Sequence, residues 1–275
     1  MASACGPDAV TESRPAFDPI TPHLGAEVSN VVLGSAMDES VAASLREALD
    51  RYGVLVVHDQ DLSPAALRDV TASFGPIFLH QAAPGIVHPE GVPEVMILER
   101  EPEGRGLFGD EAWHADVTFR RPGGHVTALH ARIIPPTGGD TGFASTVAAF
   151  RALSPGLQAL LRRMHGVHSY DGPGRPDTPG QTAIHPMVRR HPASGQEGLY
   201  FNSMFVTRFD GMSEAESRPL IDYLDRHVSR PEFTMRHRWR IGDVVFWDNR
   251  FTLHYPIDDF TGHRRLMLRC ATLEA

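Results

Sequence analysis

Two metal-binding side chains are separated by a single residue in the segment His114-Ala115-Asp116. If this segment is a β-strand, residues i and i+2 lie on the same face, so the His114 imidazole and the Asp116 carboxylate would lie side by side. With a second histidine from elsewhere in the chain they would form a 2-His-1-carboxylate facial triad, which binds non-heme Fe(II) and leaves coordination positions open. The sequence therefore predicts an iron site, with His254 as the third ligand.

The His-x-Asp triplet is a weak signal alone, because a chain with 15 histidines would contain one about once by chance. Its weight comes from the C-terminal part of the chain, where Trp247–Arg250, His254 and Arg264-Arg265 follow one another, with ten residues between His254 and Arg265. Arginine binds a carboxylate with two donors, so Arg265 could hold an anionic co-substrate at a fixed distance from the metal.

These segments together resemble a known family. Read in order, the matching residues are His114-x-Asp116, Gly138-Gly139-Asp140-Thr141, Trp247-Asp248-Asn249-Arg250, His254 and Arg265. They resemble the taurine dioxygenase (TauD/TfdA) family of Fe(II)/2-oxoglutarate-dependent oxygenases, over about Ile20 to Thr272. The resemblance implies Fe(II), 2-oxoglutarate as co-substrate and O2. It implies hydroxylation of an unactivated C–H bond in a small acidic substrate, with release of succinate and CO2.

The resemblance also assigns roles to single residues. The metal-binding and catalytic residues would be His114, Asp116 and His254, the co-substrate residues Thr141, Trp247, Arg265 and Arg269, and the substrate residues His80, Phe205 and Arg269. Arg269 lies four residues after Arg265 on the same strand face, and the family pattern leaves open whether it binds co-substrate or substrate. Ala83 stands where the taurine enzymes carry an aromatic residue, which argues against taurine itself.

Several alternatives remain at this point. The carboxylate of Asp116 favours oxygenation over halogenation, because related halogenases have a small residue there, whereas desaturation and ring formation use the same iron centre. A natural-product tailoring oxygenase, for example for a terpenoid, fits the same residues. A non-oxidative cupin-type metal enzyme would need no anion clamp, so Arg265 with Thr141 argues against it. A binding protein on a decayed scaffold would not need the complete ligand set.

The other histidines lack both a carboxylate two residues away and the downstream arginine. We expect most of them at the surface or hydrogen-bonded within strands, although a competing metal site among them stays open. They are His125, His130, His165, His168, His185, His191, His227, His237 and His263.

Composition excludes several partners. With 34 acidic and 26 basic residues the net charge is -8, which argues against nucleic acid as a partner. No run of about 18 apolar residues is present, so we expect no membrane span. The two cysteines, Cys5 and Cys270, predict no disulfide framework and a reducing cytoplasmic location. The family resemblance implies a dimer or tetramer, but nothing in the sequence fixes the number.

The elements that must position these residues are mostly strands. Many short alternating segments with Gly/Pro turns predict two packed antiparallel sheets flanked by helices, and the resemblance narrows this to a double-stranded β-helix, a jelly roll of the cupin type. Helix starts are predicted at Asp38, Ser63-Pro64, Ser154-Pro155 and at a capping box of Ser213 with Glu216. We expect a disordered tail over 1–16, then a single domain over 17–275 with lid loops near 80–112 and 170–184.

Overall fold

Strands supply most of the regular structure in the computed structural model, which describes residues 14–35, 37–80, 86–103, 112–170 and 181–275. In chain order the strands are β1 (Ala16–Pro19), β2 (Ala26–Ser29), β3 (Val54–Val57), β4 (Met96–Arg100), β5 (Gly124–Ile133), β6 (Thr141–Ser145), β7 (His165–Ser169), β8 (Thr182–Pro186), β9 (Val188–Arg190), β10 (Glu197–Leu199), β11 (Val206–Phe209), β12 (Thr234–His237), β13 (Val244–Asp248), β14 (Thr252–Pro256) and β15 (Arg265–Leu273). The helices are α1 (Glu39–Tyr52), α2 (Pro64–Ala72), α3 (Thr146–Arg151), α4 (Pro155–Leu161) and α5 (Glu214–Val228), with a short 3₁₀ turn at Pro231–Phe233.

The largest sheet has seven strands in the order β1-β2-β3-β13-β5-β15-β4. Its neighbours pair antiparallel, except that β2 runs parallel to β3. A three-stranded sheet, β12-β6-β14, lies against it, and two smaller sheets, β11-β7-β8 and β10-β9, complete the β structure. The prediction of a mostly β protein with flanking helices is therefore confirmed.

Both faces of the large sheet are covered, and β3 shows why its sequence is a continuous apolar run. Leu55 and Val57 face one way, into a cluster with the apolar stripes of α1 and α2. Val54 and Val56 face the other way, into a cluster shared with the three-stranded sheet. Because successive side chains of a strand alternate between faces, a strand buried on both faces needs an apolar residue at every position.

The space between the two sheets is filled by aromatic and sulfur-containing side chains. Phe143 of β6 and Met235 of β12 meet Trp247 of β13 and Met267 of β15 there. Ala144 and Leu253 of the three-stranded sheet pack in a separate buried cluster that also contains Ile221 of α5. The two sheets thus enclose one interior, and the candidate site lies at an end of it.

The helix starts follow the predicted caps. The side chains of Asp38, Ser63, Ser154 and Ser213 each accept a hydrogen bond from the first turn of their helix. The capping box of Ser213 with Glu216 is complete on both sides. These caps satisfy backbone N–H groups that have no partner within the helix.

The lid and tail predictions fall largely on residues outside the described ranges, namely 1–13, 81–85, 104–111 and 171–180. Within the described part, two segments of the expected loops are strands. Met96–Arg100 forms β4, an edge strand paired with β15, and Thr182–Pro186 forms β8, paired with β7. The lid loop expected near 80–112 is thus wrong at Met96–Arg100, which is β4. At the N-terminus, β1 already begins at Ala16, inside the expected tail.

Among the described residues, no helix has the length and apolar character required to cross a bilayer. Cys270 is a buried free thiol in β15.

Candidate active site

Three predicted metal ligands meet at one end of the space between the sheets. One ligand atom from each of His114, Asp116 and His254 lies within 4.8 Å of the others. His254 stands on β14, and its backbone exchanges two hydrogen bonds with His114, from N to O over 2.9 and 2.7 Å. Two residues 140 positions apart are therefore held side by side by a single antiparallel bridge.

The expectation that His114 and Asp116 lie on a strand was wrong. His114 forms only the isolated bridge to His254, and Asp116 to Phe119 form a turn. Val117 has φ of 59°, a left-handed conformation that extended strands do not contain and β-branched residues rarely adopt. The Asp116 N–H donates to the Asn249 side chain over 2.9 Å, a bond that takes the place of a strand partner. The turn directs both side chains to the same place.

The two oxygens of Asp116 have different surroundings. Its Oδ2 accepts a hydrogen bond from the Thr127 hydroxyl at 2.7 Å and pairs with the Arg269 guanidinium at 2.8 Å. Its Oδ1 faces the His254 Nε2 across 4.0 Å, where the three candidate ligands converge. Burial would raise the pKa of Asp116, but the charges of Arg269 and the two histidines hold it far below its usual range.

The hydrogen bonds and the burial of the two histidines suit them to bind a metal. His114 Nδ1 lies 2.9 Å from the Ala112 carbonyl oxygen, to which it can only donate, so Nε2 is the nitrogen available to a metal. Burial, with His114 beside it, lowers the pKa of His254 to about 3, so its imidazole is neutral at physiological pH. His254 Nδ1 is buried without a hydrogen-bond partner among the described residues. Two imidazoles and a carboxylate are a donor set that suits a divalent iron ion.

Trp247, predicted to contact the co-substrate, lies on the metal-ligand side of the interior. Its ring centroid is 4.7 Å from that of His254, and its indole N–H donates to the Asn249 side chain over 3.1 Å. The side chain is buried in the core between the sheets. Its place therefore favours support of His254 and Asn249, and a direct contact with co-substrate remains a prediction.

The residue predicted to bind the anionic co-substrate, Arg265, lies among aromatic side chains. Arg265, at the start of β15, lies over the rings of Trp239 and Phe260, with its guanidinium carbon 6.0 and 5.8 Å from their centroids. Its Nε is buried and has no hydrogen-bond partner among the described residues. Burial lowers the pKa of Arg265 to about 10, so the guanidinium stays charged at neutral pH. A buried cation with an unused donor is suited to an anionic ligand.

Thr141 lies in the same region, on β6, and is buried. Its hydroxyl oxygen accepts a hydrogen bond from the Trp239 indole N–H at 3.0 Å. Because an indole nitrogen can only donate, the Thr141 hydrogen is free to be donated elsewhere, for example to a carboxylate. Sequence reasoning missed Trp239, whose only signal was its place in an alternating segment.

The predicted substrate residues are also close to the metal ligands. Arg269 donates to His80 Nε2 over 2.5 Å while its other nitrogen pairs with Asp116. Burial, followed by the nearby charge of Arg269, lowers the pKa of His80 to about 3. Phe205 is buried with its ring edge-on to His114 at 6.4 Å between centroids, and it packs against Phe119 at 5.0 Å. The Arg269 cation and the apolar wall formed by Phe205 and Phe119 thus both lie next to the metal ligands.

A second possible metal cluster, Asp50, His191 and Asp248, is already occupied by a cation from the chain. Arg250 pairs with Asp248 at 2.7 Å and with Asp50 at 3.1 Å. Of the nine other histidines, His165 and His263 are exposed and six are buried. Four of the buried six lie on strands and are hydrogen-bonded, which agrees with the expectation, namely His130, His168, His185 and His237. The other two, His191 and His227, are buried outside the strands.

This chain brings two histidines and one carboxylate together in a mostly β fold, and it is a 2-oxoglutarate-dependent dioxygenase. A sequence model described as taurine catabolism dioxygenase TauD, TfdA family matches residues 16–271. The chain therefore belongs to that family. Its metal is Fe(II), its co-substrate is 2-oxoglutarate and its oxidant is O2.

Individual relatives align over nearly the whole chain. The alpha-ketoglutarate-dependent sulfate ester dioxygenase of Pseudomonas putida is 33% identical, over 91% of this chain and 87% of its own length. The alpha-ketoglutarate-dependent 2,4-dichlorophenoxyacetate dioxygenase of Cupriavidus pinatubonensis is 30% identical, over 94% of this chain and 97% of its own. The crystal structure of a taurine dioxygenase from Burkholderia xenovorans superimposes with a TM-score of 0.83 at 32% identity, covering 96% of this chain and 92% of that chain.

Proposed function

We propose that this chain hydroxylates a C–H bond of a small organic anion, with His114, Asp116 and His254 holding the iron. The observation that carries the proposal is the convergence of these three ligand atoms within 4.8 Å, from two histidines and a carboxylate whose Oδ1 faces His254. Iron bound there supplies the oxidative decarboxylation of 2-oxoglutarate to succinate and CO2 and the insertion of one oxygen atom of O2 into the substrate C–H bond. The fold that supports the site is proposed to be a double-stranded β-helix, in keeping with the two facing sheets.

Arg265 and Thr141 are proposed to bind the far carboxylate of 2-oxoglutarate. The buried Nε of Arg265 lacks a partner among the described residues, and the Thr141 hydrogen is free because Trp239 donates to its oxygen. A carboxylate there would satisfy both donors at once. A bound carboxylate would also balance the charge of the guanidinium, whose neighbours on two sides are aromatic rings.

Arg269 and His80 are proposed to recognise the anionic head of the substrate. Arg269 already donates to His80 Nε2, so the hydrogen of the neutral imidazole must be on Nδ1, where it can be donated to an incoming anion. The relatives act on sulfate esters and phenoxyacetates, which share an anionic head on a carbon body. This chain is proposed to take a substrate of that general type.

The body of the substrate is proposed to be apolar. Phe205, Phe119 and Phe78 belong to one buried cluster next to His114, and Tyr170 packs against it. Such a wall excludes water from the reacting C–H bond and gives an apolar body a surface to bind. The same wall would suit a natural-product intermediate such as a terpenoid acid, the second candidate. The cytoplasmic location and the dimer or tetramer remain predictions.

An anaerobic titration tests the proposal. Metal-free protein receives Fe(II) and then 2-oxoglutarate, and the weak visible charge-transfer band of the 2-oxoglutarate complex is recorded. We expect the band in the wild-type protein and none in Asp116→Ala. A candidate anion that binds should shift the band, and Arg269→Ala should lose that shift. Fe(II) binding without any band would refute the co-substrate assignment.

A further inference from the structure

Two residues outside the ligand set, Thr127 and Asn249, hold Asp116 in place through a chain of hydrogen bonds whose directions are fixed. Both are buried, Thr127 in the middle of β5 and Asn249 in the turn that follows β13. Asn249 belongs to the segment Trp247–Arg250 noted in the sequence, but neither its side chain nor that of Thr127 had a role there.

The orientation of the Asn249 amide follows from its partners. Its Oδ1 receives the Trp247 indole N–H at 3.1 Å and the Asp116 backbone N–H at 2.9 Å. Both partners can only donate, so the atom they contact must be the amide oxygen. The amide nitrogen therefore lies on the other side, where it is 2.9 Å from the Thr127 hydroxyl oxygen.

The direction of the Thr127 hydroxyl is then fixed too. Its oxygen accepts from the Asn249 amide nitrogen, so its single hydrogen points away from Asn249. At 2.7 Å it meets Asp116 Oδ2, a carboxylate oxygen that can only accept. The chain of donors runs from Trp247 and Asn249 through Thr127 to one oxygen of Asp116 and leaves Oδ1 to face His254.

The backbone of the Asp116 turn shows why the hydrogen bonds from Asn249 and Thr127 are needed. Val117 is left-handed, and a Cβ on Gly124 would lie 2.5 Å from the Asp116 carbonyl oxygen, so the turn is pressed closely against β5. A β-branched residue in this conformation persists only where surrounding contacts overdetermine it. The Asn249 side chain contacts the turn through the Asp116 N–H and, by way of Thr127, through the Asp116 carboxylate.

We propose that Thr127 and Asn249 are positioning residues that hold Asp116 as a one-oxygen metal ligand, with Thr127 donating its hydrogen bond to the oxygen that does not bind the metal. The inference rests on the proposed role of Asp116 in binding iron. It predicts that metal affinity depends on the Thr127 hydroxyl itself and not only on the shape of the side chain.

The test measures Mn(II) binding to the metal-free, full-length protein by calorimetry, so no turnover is involved. Thr127→Val keeps the shape but removes the hydroxyl, and we expect Mn(II) affinity to fall about 10- to 100-fold. Thr127→Ser restores the hydroxyl and should bind within about 2-fold of the wild type. Asn249→Asp puts an acceptor where the amide nitrogen was, draws the Thr127 hydrogen away from Asp116, and should also weaken binding.

A matched control is Thr272→Val, the same substitution on the adjacent strand β15. Thr272 is buried, and in the described part of the chain its hydroxyl bonds only to the backbone of Val126. We expect it to lower thermal stability and leave Mn(II) affinity within about 2-fold of the wild type. Equal Mn(II) affinity in Thr127→Val and the wild type, or equal losses in Thr127→Val and Thr272→Val, would overturn the inference.

Failure of the underlying proposal would look different. If the wild-type protein bound no Mn(II), or if Asp116→Ala bound it as tightly as the wild type, then Asp116 would not be a metal ligand at all. A loss in Thr127→Val that Thr127→Ser does not rescue would instead mean that packing, not the hydroxyl, sets the affinity, and it would overturn the positioning role alone.

Discussion

Several polar groups in this site can only donate or can only accept a hydrogen bond, so their contacts show where the hydrogens lie. An indole N–H can only donate, a carboxylate can only accept, and a guanidinium can only donate. These restrictions fix the neutral state of His80 beside Arg269, the free hydrogen of Thr141 beside Trp239 and the direction of the Thr127 hydroxyl. The chemistry of the pocket can thus be deduced from heavy-atom positions.

Residue types and spacing were enough to predict the metal ligands but not their support. His114, Asp116 and His254 were predicted from a short triplet and a downstream pattern, and the structure brings all three together. Asn249 meets Asp116 across 133 positions, and nothing local in either segment marks that contact. Support residues are selected by the folded geometry, so one sequence alone leaves them unmarked.

Replacement of Arg265 tests the anion site at the level of one side chain. We expect Arg265→Ala to raise the KM for 2-oxoglutarate by about 100-fold, because a charged, two-donor contact contributes on the order of 3 kcal/mol. The adjacent Arg264 is an exposed residue that pairs with Glu99, so Arg264→Ala should change the KM less than about 2-fold. Steady-state kinetics with varied 2-oxoglutarate would measure both. An unchanged KM in Arg265→Ala would remove Arg265 from the co-substrate site.

At the level of secondary-structure elements, the sequence predicted a feature correctly where that feature depends only on neighbouring residues. The caps at Asp38, Ser63, Ser154 and Ser213 were predicted and observed, because a cap involves residues two or three positions apart. The strand expected at Asp116 and the loop expected at Met96–Arg100 were both wrong. In each case a distant partner decides the outcome: Asn249 for the turn at Asp116, and β15 for β4.

The capping box of α5 offers a test at this scale. Ser213→Ala removes the acceptor for the Glu216 backbone N–H and should lower the free energy of unfolding by about 1 kcal/mol. Ser44→Ala makes the same change inside α1, where alanine is the better helix former, and should not lower it. Urea unfolding curves of the two variants provide the comparison. Equal midpoints for Ser213→Ala and the wild type would show that α5 is held by its packing alone.

The whole molecule contains many buried histidines, and their protonation must oppose folding at low pH. Burial is the main cause that lowers the pKa of His168, to about 3, with smaller contributions from His185 and Arg189. Burial likewise lowers the pKa of His130 and His185. In the unfolded chain a histidine titrates near 6.5. Below pH 6.5 the unfolded chain binds protons that the folded chain does not. The contribution of these neutral histidines to the free energy of unfolding is therefore complete above pH 6.5 and is lost as the pH falls toward 3.

The metal-free protein should therefore lose stability between pH 7 and pH 5, and His168 should account for a measurable part of the loss. One histidine that stays neutral in the fold contributes up to about 1.4 kcal/mol per pH unit below 6.5. His168→Gln keeps a polar atom for the Thr118 hydroxyl but cannot titrate, so its unfolding free energy should fall less steeply, by up to that amount per unit. Urea unfolding at pH 7, 6 and 5 gives the slope for each protein, and parallel lines for His168→Gln and the wild type would mean that His168 is protonated in the folded state.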